Sequence, residues 1–255
     1  MYLILYAYQL QINSVKIVSM IKKVQRVCVI IPAYNESAVI RDVLKNAKKI
    51  FSASPYDIAI VLVNDSSKDN TANIALKEKV TVINHIINTG AGGATATGLR
   101  YAKNNHFDIA ATMDADGQHD PNDVIKGIRQ IEKLGSDLLL GSRLIDSSGM
   151  SKIKVIGNKG LSVITYVLFG VNSTDSQSGL RLFSRKAIDS LRWHAGGYEF
   201  ASEMLWKARQ LKLTVNEYPI KAIYTEYSKS KGQNNWNAIN IVKSMIKHRI
   251  SETFG

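Results

Sequence analysis

The chain has 255 residues, of which 45% are hydrophobic, 21% are charged and four are proline. This length and composition are typical of one large α/β domain or two small ones, and they exclude an intrinsically disordered chain. The formal net charge of +12 predicts a partner that carries negative charge, such as nucleic acid, anionic lipid headgroups or phosphorylated substrates. The sequence has no zinc-finger spacing, no basic leucine-zipper pattern and no basic stripe interleaved with aromatic residues, so no nucleic-acid partner is expected.

The N-terminal residues 1–24 are predicted to be an extension that precedes the working domain. Met1–Ile12 is apolar but lacks a basic leading segment and a small-residue cleavage site, so it is not predicted to be a signal peptide. The longest apolar stretches, such as Val163–Val171, are shorter than the roughly 18 to 20 residues that span a bilayer. The single cysteine, Cys28, lies in an apolar run and is predicted to be a buried thiol. We therefore expect a cytoplasmic protein, with peripheral contact with the membrane as its only membrane association.

Short β-branched runs alternate with segments of helical periodicity as far as residue 141, which predicts a doubly wound, mostly parallel sheet with helices on both faces. The predicted strands are Arg26–Ile31, Ile58–Val63, Val80–Ile83, Ile109–Met113 and Asp137–Leu140, and the predicted helices are 36–50, 69–78, 92–104 and 121–134.

The pattern is less regular after residue 142. It predicts helices at 153–169 and 198–211, a short strand at Leu180–Phe183 and strands over Val215–Tyr224, with Pro219 at an edge position.

The loops that follow the predicted strands carry the polar and glycine-rich segments of the chain. Each has a local explanation, since Asn35, Ser66 or Ser67 would cap helices and the glycines would allow tight turns. Ligands of parallel sheets, however, gather where the strands end, so the convergence of these loops predicts one binding site. The loops are Pro32–Ser37, Asn64–Ser67, Asn88–Gly93, Asp114–His119 and Gly141–Arg143.

An Asp-x-Asp pair, Asp114 and Asp116, comes directly after the fourth predicted strand. In extended chain, residues two apart project from the same face, so both carboxylates can reach one hard cation and leave coordination positions for a diphosphate. A helix-loop-helix calcium site is excluded, because the glycine falls at position 4 of the loop and Ile125 stands at position 12. Asp120, which precedes a proline, is predicted to cap a helix, with Asp123 as a favourable charge in its first turn.

The glycine-rich loop at 88–93 does not match G-x-G-x-x-G, and no G-x-x-x-x-G-K-[ST] occurs in the chain. A Rossmann oxidoreductase and a P-loop enzyme are therefore disfavoured. The glycines are expected to let the backbone approach a ligand or pack against the sheet.

These ordered motifs resemble those of family 2 glycosyltransferases of the GT-A fold, in the branch of dolichol-phosphate mannose synthases and bacterial polyprenyl-phosphate sugar transferases. The resemblance covers about residues 26–235. It implies an inverting, metal-dependent transfer of a hexose from a nucleotide-diphosphate sugar, with Mg²⁺ or Mn²⁺ as cofactor. The acceptor that it implies is a polyprenyl phosphate, dolichyl or undecaprenyl.

The resemblance also implies roles for individual residues. On the donor side, Pro32, Tyr34 and Glu36 would lie beside the nucleotide, Asp65 would contact the base, and Ala115 would line the donor site. The metal and diphosphate site would consist of Asp114, Asp116 and Gln118.

On the acceptor side, the resemblance implies that Arg143, Lys159 and Ser162 receive a phosphate. Asp175 and the segment Gly179–Arg181 match an Asp-x-x-x-Gly-x-Arg motif. Asp116, Arg143 and Asp175 are the predicted catalytic residues, and Lys229 and Lys231 would belong to a closing loop.

Three positions depart from the family pattern. Asn64 stands where many relatives have Asp, Lys159 stands where Arg is common, and the glycine-rich loop lacks the usual Lys. The first would alter base contacts, the second replaces a bidentate fork by a point charge, and the third removes a phosphate contact.

The chain is thus predicted to comprise a domain at 25–235, with a nucleotide-sugar half (25–141) and an acceptor half (142–235), and a basic amphipathic helix at 236–255. That helix has two explanations: contact with a lipid interface or docking on the domain. Its apolar positions are Ile239, Val242, Ile246 and Ile250, and its cations are Lys243, Lys247 and Arg249.

The sequence leaves three alternatives to this function open. Transfer to a saccharide hydroxyl would need a general base, for which Asp175 is the candidate, although a turn cap explains that residue equally well. A sugar-1-phosphate nucleotidyltransferase would need a basic glycine-rich loop after the first strand. The third alternative is a sugar-nucleotide-binding or anionic-surface-binding module without turnover.

Overall fold

The computed structural model describes residues 25–147 and 152–221, together with the isolated positions 223, 227, 242, 243 and 246. The predictions for residues 1–24, for Lys229 and Lys231 and for most of the segment 236–255 lie outside the described residues.

Seven strands form one sheet in the order β3-β2-β1-β4-β6-β5-β7. The strands from β3 to β4 are parallel, β6 is antiparallel to both β4 and β5, and β5 is parallel to β7. The prediction of a doubly wound, mostly parallel sheet is therefore confirmed, and Pro219 ends an edge strand as expected. The strands are β1 (Arg26–Ala33), β2 (Asp57–Asn64), β3 (Thr81–Asn84), β4 (Ile109–Thr112), β5 (Leu138–Ser142), β6 (Arg181–Ser184) and β7 (Val215–Pro219).

Helices cover both faces of this sheet because successive side chains of a buried strand point to opposite sides. In β1, Val27, Val29 and Ile31 pack against α1, α2 and α4, whereas Cys28 and Ile30 pack against α3 and α5 to α7. The helices are α1 (Ile40–Ser52), α2 (Thr71–Lys77), α3 (Gly90–Asn104), α4 (Pro121–Leu134), α5 (Lys152–Phe169), α6 (Arg185–Ser190) and α7 (Phe200–Gln210).

Four predicted helices begin two or more residues away from their observed first residue. Helix α1 begins at Ile40 instead of residue 36, because Asn35 has a positive φ of 56° and the backbone then turns, with the N–H of Val39 donating to the carbonyl of Glu36. Helix α3 begins at Gly90 instead of residue 92, α2 at Thr71 instead of residue 69, and α7 at Phe200 instead of residue 198.

Two local predictions were confirmed. Asp120 caps α4 through its carboxylate, which accepts from the backbone N–H of Asn122, with a proline at the first position and Asp123 in the first turn. Cys28 is fully buried, and burial raises the pKa of its thiol to about 12, so it is an inert core residue.

Among the residues that the structure describes, no helix combines the length and the hydropathy that a membrane span requires. Near the C-terminus, Val242 is half-buried against the hydrophobic cluster under α3, α5 and α7, whereas Ile246 is exposed. Val242 thus contacts the domain, and the two explanations for the segment 236–255 stay predictions.

Candidate active site

The parallel strands β1, β2 and β4, together with β5, end at the same edge of the sheet, and the antiparallel strand β6 begins there. This edge gathers the loops at 34–37, 65–67, 114–119 and 143–147 and the segment 173–180 that leads into β6. The topology thus brings the loops with Glu36, Asp65, Asp114, Arg143 and Asp175 to one rim.

The Asp-x-Asp loop is held by its own residues. The N–H and the side-chain amide of Gln118 both donate to Asp116, at 3.0 and 2.6 Å. Burial raises the pKa of Asp116, and the nearby negative charge of Asp114 raises it further. Two carboxylates that destabilise each other's charge in this way are a favourable place for a cation.

His119 belongs to the same loop, and sequence reasoning gave it no role. Its ring is buried, Nδ1 accepts the backbone N–H of Asp114 at 3.1 Å, and Nε2 lies 3.7 Å from Asp114 Oδ2. Because Nδ1 is an acceptor, the ring proton is on Nε2, on the side of that carboxylate. His119 therefore positions Asp114 through its backbone N–H and lies close to its carboxylate. In the sequence, only its place in the Asp-x-Asp loop could have pointed to this role.

Gly179 and Arg181 lie on the acceptor side of Asp114. A Cβ on Gly179 would stand 2.3 Å from Asp114 Oδ1, so only glycine allows the carboxylate to lie here. Thr112 fixes the same segment, since its hydroxyl donates to the carbonyl of Gly179 at 2.6 Å. Burial lowers the pKa of Arg181 to about 10, while the negative charges of Asp114 and Asp175 act to raise it. The guanidinium of Arg181 donates to the carbonyl of Ser176.

Asp175 and Arg143 form a tight ion pair. Arg143 donates to the Asp175 carboxylate through Nε at 2.7 Å, through Nη2 at 2.9 Å and through its backbone N–H at 3.1 Å. The Asp175 side chain has no exposed surface, whereas 17% of the Arg143 side chain is exposed. The pair therefore orients the guanidinium group toward the rim.

Ser162 and Lys159 lie on α5 but face different ways. Ser162 is buried, where its hydroxyl donates to the carbonyl of Thr174 and accepts the N–H of Ser176. Lys159 is exposed. The structure thus places Ser162 as a support for the loop that holds Asp175, and it leaves Lys159, one turn earlier on α5, exposed to solvent.

Glu217 of β7 anchors the other side of that loop, accepting from the hydroxyls of Ser173 and Thr174 and from the N–H of Thr174. Sequence reasoning missed this residue, because only the pairing of β5 with β7 brings it to the loop.

Asp65 is buried against the glycine-rich loop. Its carboxylate accepts the N–H groups of Thr89 and Gly90, each at 2.8 Å, and lies 2.8 Å from His85 Nδ1. Burial acts to raise the pKa of Asp65, but these hydrogen bonds outweigh it, and the pKa lies below its usual value. A negative side chain thus already occupies the N-terminus of α3.

The glycines of this loop serve close packing. A Cβ on Gly90 or Gly92 would stand 2.3 Å from a backbone carbonyl of the segment 195–196, and one on Gly98 would stand 2.2 Å from the Ile30 side chain. Gly98 lies beyond the loop, on α3, and it is this glycine that packs against the sheet, whereas Gly90 and Gly92 pack against the segment 195–196.

Asn64 and Asn35 both bond to the loop that follows β2. The Asn64 amide donates to Asn84 and accepts the N–H of Ser67, and Asn35 accepts the N–H of Lys68. Asn64 thus supports the loop after β2. The prediction that it alters base contacts remains a prediction.

The loop after β1 meets the segment that follows β7. Tyr227 donates from its hydroxyl to Glu36 Oε2 at 2.8 Å and lies 3.4 Å from the Asn35 carbonyl. The N–H of Ile223 donates to the carbonyl of Gln118 at 3.0 Å. Tyr34, beside this contact, is 42% exposed, while Pro32 is half-buried and Ala115 is buried.

The residues at Asp114–Gln118 fit a divalent cation by their chemistry. Both carboxylates and the Gln118 amide supply hard oxygen ligands, which Mg²⁺ and Mn²⁺ prefer, and the Asp114 side chain is 46% exposed. Within the described part of the chain, no group of three or more His, Cys, Asp or Glu is arranged to hold a metal by itself. A cation bound here would thus share its coordination sphere with other oxygens.

The model of the family described as glycosyl transferase family 2 matches residues 28–192, more than half of the chain. The chain belongs to this family. It is therefore a glycosyltransferase, and the two alternatives of other classes, a nucleotidyltransferase and a module without turnover, are set aside.

The chain is similar to two named relatives. The chain is 43% identical over 228 residues to the UDP-N-acetylglucosamine–dolichyl-phosphate N-acetylglucosaminyltransferase of Methanococcus voltae, covering 80% of this chain and 88% of the relative. It is 29% identical over 218 residues to the undecaprenyl-phosphate mannosyltransferase of Micrococcus luteus, covering 81% and 87%.

The fold is that of GT-A glycosyltransferases. A crystal structure of glucosyl-3-phosphoglycerate synthase from Mycobacterium tuberculosis with Mn²⁺, UDP-glucose and phosphoglyceric acid superposes with a TM-score of 0.66 at 18% identity. The match covers 89% of this chain and 79% of the other.

Proposed function

We propose that this glycosyltransferase moves a hexose, with inversion, from a nucleotide-diphosphate sugar to a polyprenyl phosphate. The observation that carries the proposal is the junction at Gly179, where the Asp-x-Asp loop meets the segment holding the Asp175–Arg143 pair. A carboxylate pair suited to a metal–diphosphate thus adjoins a guanidinium suited to a second phosphate. The names of the Methanococcus and Micrococcus relatives support a lipid-phosphate acceptor.

On the donor side, Asp114, Asp116 and Gln118 would hold Mg²⁺ or Mn²⁺. When bound, such a cation neutralises the charge that develops on the leaving diphosphate. His119 and Gln118 hold the two carboxylates in place, and Tyr34, Glu36 and Asp65 shape the nucleotide side of the rim. Attack from the face opposite the diphosphate inverts the anomeric centre.

On the acceptor side, a phosphate monoester is already anionic at neutral pH and needs positioning more than deprotonation. Arg143 is oriented for this by Asp175, with the buried charge of Arg181 behind the pair. Lys159 on α5 would add a second positive charge for the acceptor phosphate. Lys229 and Lys231 would add further positive charge from a closing loop.

Transfer to a saccharide hydroxyl is the second candidate, since it uses the same donor site and needs only a base. Asp175 is the predicted base. Its carboxylate is buried and accepts three hydrogen bonds from Arg143, so it is already engaged in an ion pair, which favours the phosphate acceptor.

A panel of sugar nucleotides, assayed with Mg²⁺ or Mn²⁺ and with or without polyprenyl phosphate, tests the proposal. We expect nucleoside diphosphate release that depends on metal and lipid phosphate, together with a glycosylated lipid product. Failure of every common donor in the presence of lipid phosphate and metal would contradict it. Selective loss of transfer to a hydroxyl acceptor in Asp175→Asn, with phosphate transfer retained, would favour the second candidate.

A further inference from the structure

Glu203 is a fully buried carboxylate in the first turn of α7. Both of its oxygens accept the backbone N–H of His194, at 2.9 and 3.1 Å, and one also accepts the N–H of Ala195 at 2.8 Å. Removing a carboxylate from water is costly unless hydrogen bonds replace the water, and these backbone groups replace it. Glu203 therefore fixes the backbone of the 193–197 segment, which lies between α6 and α7.

The 193–197 segment is bonded in turn to the N-terminus of α3. The N–H of Gly92 donates to the carbonyl of Gly196 at 2.7 Å, and the indole N–H of Trp193 donates to the carbonyl of Gly92 at 3.0 Å. A Cβ on Gly196 would stand 2.4 Å from the carbonyl oxygen of Thr89, so the two backbones are in direct contact. The position of the glycine-rich loop thus depends on the segment that Glu203 holds.

This loop in turn holds Asp65. The carboxylate of Asp65 accepts the N–H groups of Thr89 and Gly90, each at 2.8 Å. Because these two N–H groups and that of Gly92 are bonded within the protein, this helix N-terminus binds a side-chain carboxylate in the place where other helices bind a ligand phosphate. The glycine-rich loop therefore orients an acidic side chain at the rim.

We propose that Glu203 is a positioning residue of the donor site: through the 193–197 segment it fixes the α3 N-terminus, and so sets the position of Asp65 and the affinity for the donor nucleotide. The inference rests on the proposed function, in which Asp65 lies on the nucleotide side of the rim. Glu203 has no exposed surface, so it acts on the substrate only through this loop. A residue that only filled the core here would be apolar, whereas carboxylate oxygens match two consecutive backbone N–H groups.

Glu203→Gln tests the proposal in the full chain. Glutamine has nearly the same shape but replaces one acceptor oxygen by an NH₂ group, which cannot accept a backbone N–H. Calorimetric titration with UDP, GDP, ADP and dTDP, each with Mn²⁺, identifies the nucleotide that the parent chain binds. We expect its dissociation constant to rise by about tenfold in Glu203→Gln, and amide hydrogen exchange at 89–92 to become faster by about the same factor.

Kinetic constants separate positioning from a general loss of stability. In Glu203→Gln the KM for the sugar nucleotide should rise by about tenfold, while kcat and the acceptor KM stay within about twofold of the parent values. Glu217→Gln is the matched comparison, because it removes a carboxylate that anchors the loop holding Asp175. It should raise the acceptor KM and leave the donor KM unchanged.

Two further variants complete the experiment. Tyr218→Phe removes a buried hydrogen bond to the carbonyl of Asp123 in α4, so it should lower the Tm without changing either KM. If circular dichroism shows that Glu203→Gln does not fold, Trp193→Phe replaces it. That variant keeps an aromatic ring against Phe200 and removes only the N–H that reaches Gly92, so nucleotide affinity should fall by about threefold.

Parental nucleotide affinity and parental exchange at 89–92 in a folded Glu203→Gln chain would overturn the proposal. Equal rises of donor KM and acceptor KM would also overturn it, since they would indicate general damage. A parent chain that binds a nucleotide but glycosylates no polyprenyl phosphate would remove only the proposed function, and the nucleotide titration would still decide the role of Glu203. A parent chain that binds none of the four nucleotides would overturn both.

Discussion

Gly179 lies against the Asp114 carboxylate so closely that a Cβ would stand 2.3 Å from Oδ1 and 2.6 Å from Oδ2. The two residues come from loops more than sixty positions apart, brought together because β6 pairs antiparallel with β4. The segment that leads into β6 thus sets the position of a carboxylate in the Asp-x-Asp loop.

Gly179→Ala should displace the Asp114 carboxylate and raise the metal concentration that gives half-maximal activity by about tenfold, with a stability loss of about 1 to 3 kcal/mol. Titration of activity with Mn²⁺ and thermal unfolding measure both effects. Gly157→Ala is the matched control: its Cβ meets open space, so metal dependence should not change and stability should rise by up to about 1 kcal/mol. An unaltered metal titration in Gly179→Ala would contradict the packing argument.

Asp116→Ala should lower turnover by more than about a hundredfold, because it removes a carboxylate from the proposed metal and diphosphate site. The measurement is the steady-state rate of nucleoside diphosphate release. Asp120→Ala, in the same loop, removes a helix cap and should cost about 1 kcal/mol of stability with turnover maintained. Near-normal turnover in Asp116→Ala is incompatible with the proposed site.

His119→Phe should leave the Asp114 N–H without its acceptor, at a cost of about 1 to 3 kcal/mol in the free energy of unfolding, and should weaken metal activation. His119→Asn offers a side-chain oxygen in place of Nδ1 and should recover part of both losses. Urea unfolding and metal titration of the two variants compare them. Equal behaviour of the variants would show that the histidine acts by filling space.

Arg143→Gln should destabilise the fold by about 3 to 5 kcal/mol, because it leaves Asp175 as a buried charge without its guanidinium. Arg143→Lys keeps a charge but not the bidentate contact, so it should be more stable than Arg143→Gln while acceptor KM still rises. Urea unfolding and acceptor kinetics separate the two effects. Equal stability of the two variants would argue against an essential charge pair.

The stability of the protein should fall as the pH is lowered from about 5 to 2, and Asp65 should contribute to this fall. Its pKa is lower in the folded chain, because hydrogen bonds from the α3 N-terminus outweigh burial. The stabilisation is therefore present above the unfolded pKa and is lost as the pH falls through the folded pKa. Urea unfolding at several pH values should give a shallower slope for Asp65→Asn, and an unchanged slope would disprove the assignment.

Local sequence patterns were sufficient to predict most strands of the sheet and the Asp-x-Asp loop that follows β4. The β-branched runs at β1, β2 and β4 are buried on both faces, so they stand out as continuous apolar segments in any reading of the chain. The cap at Asp120 was also predictable, since Pro121 and the charge at Asp123 act within one helical turn.

Contacts between distant segments were not predictable in the same way. The reversal of β6, the Arg143–Asp175 pair and the anchoring of Thr174 by Glu217 depend on strand pairing, which leaves no periodic signal in the sequence. The burial of Asp65 under the α3 N-terminus likewise follows from the order of β2 and β3 in the sheet.

The sequence by itself determined which segments form strands and that two carboxylates follow one of them, because both depend on neighbours within a few residues. Only the tertiary structure decided that Gly179 packs on Asp114, that His119 supports it and that Glu203 holds the 193–197 segment against α3. Those outcomes depend on which surfaces are buried when the helices pack on the sheet, and burial is a property of the whole fold.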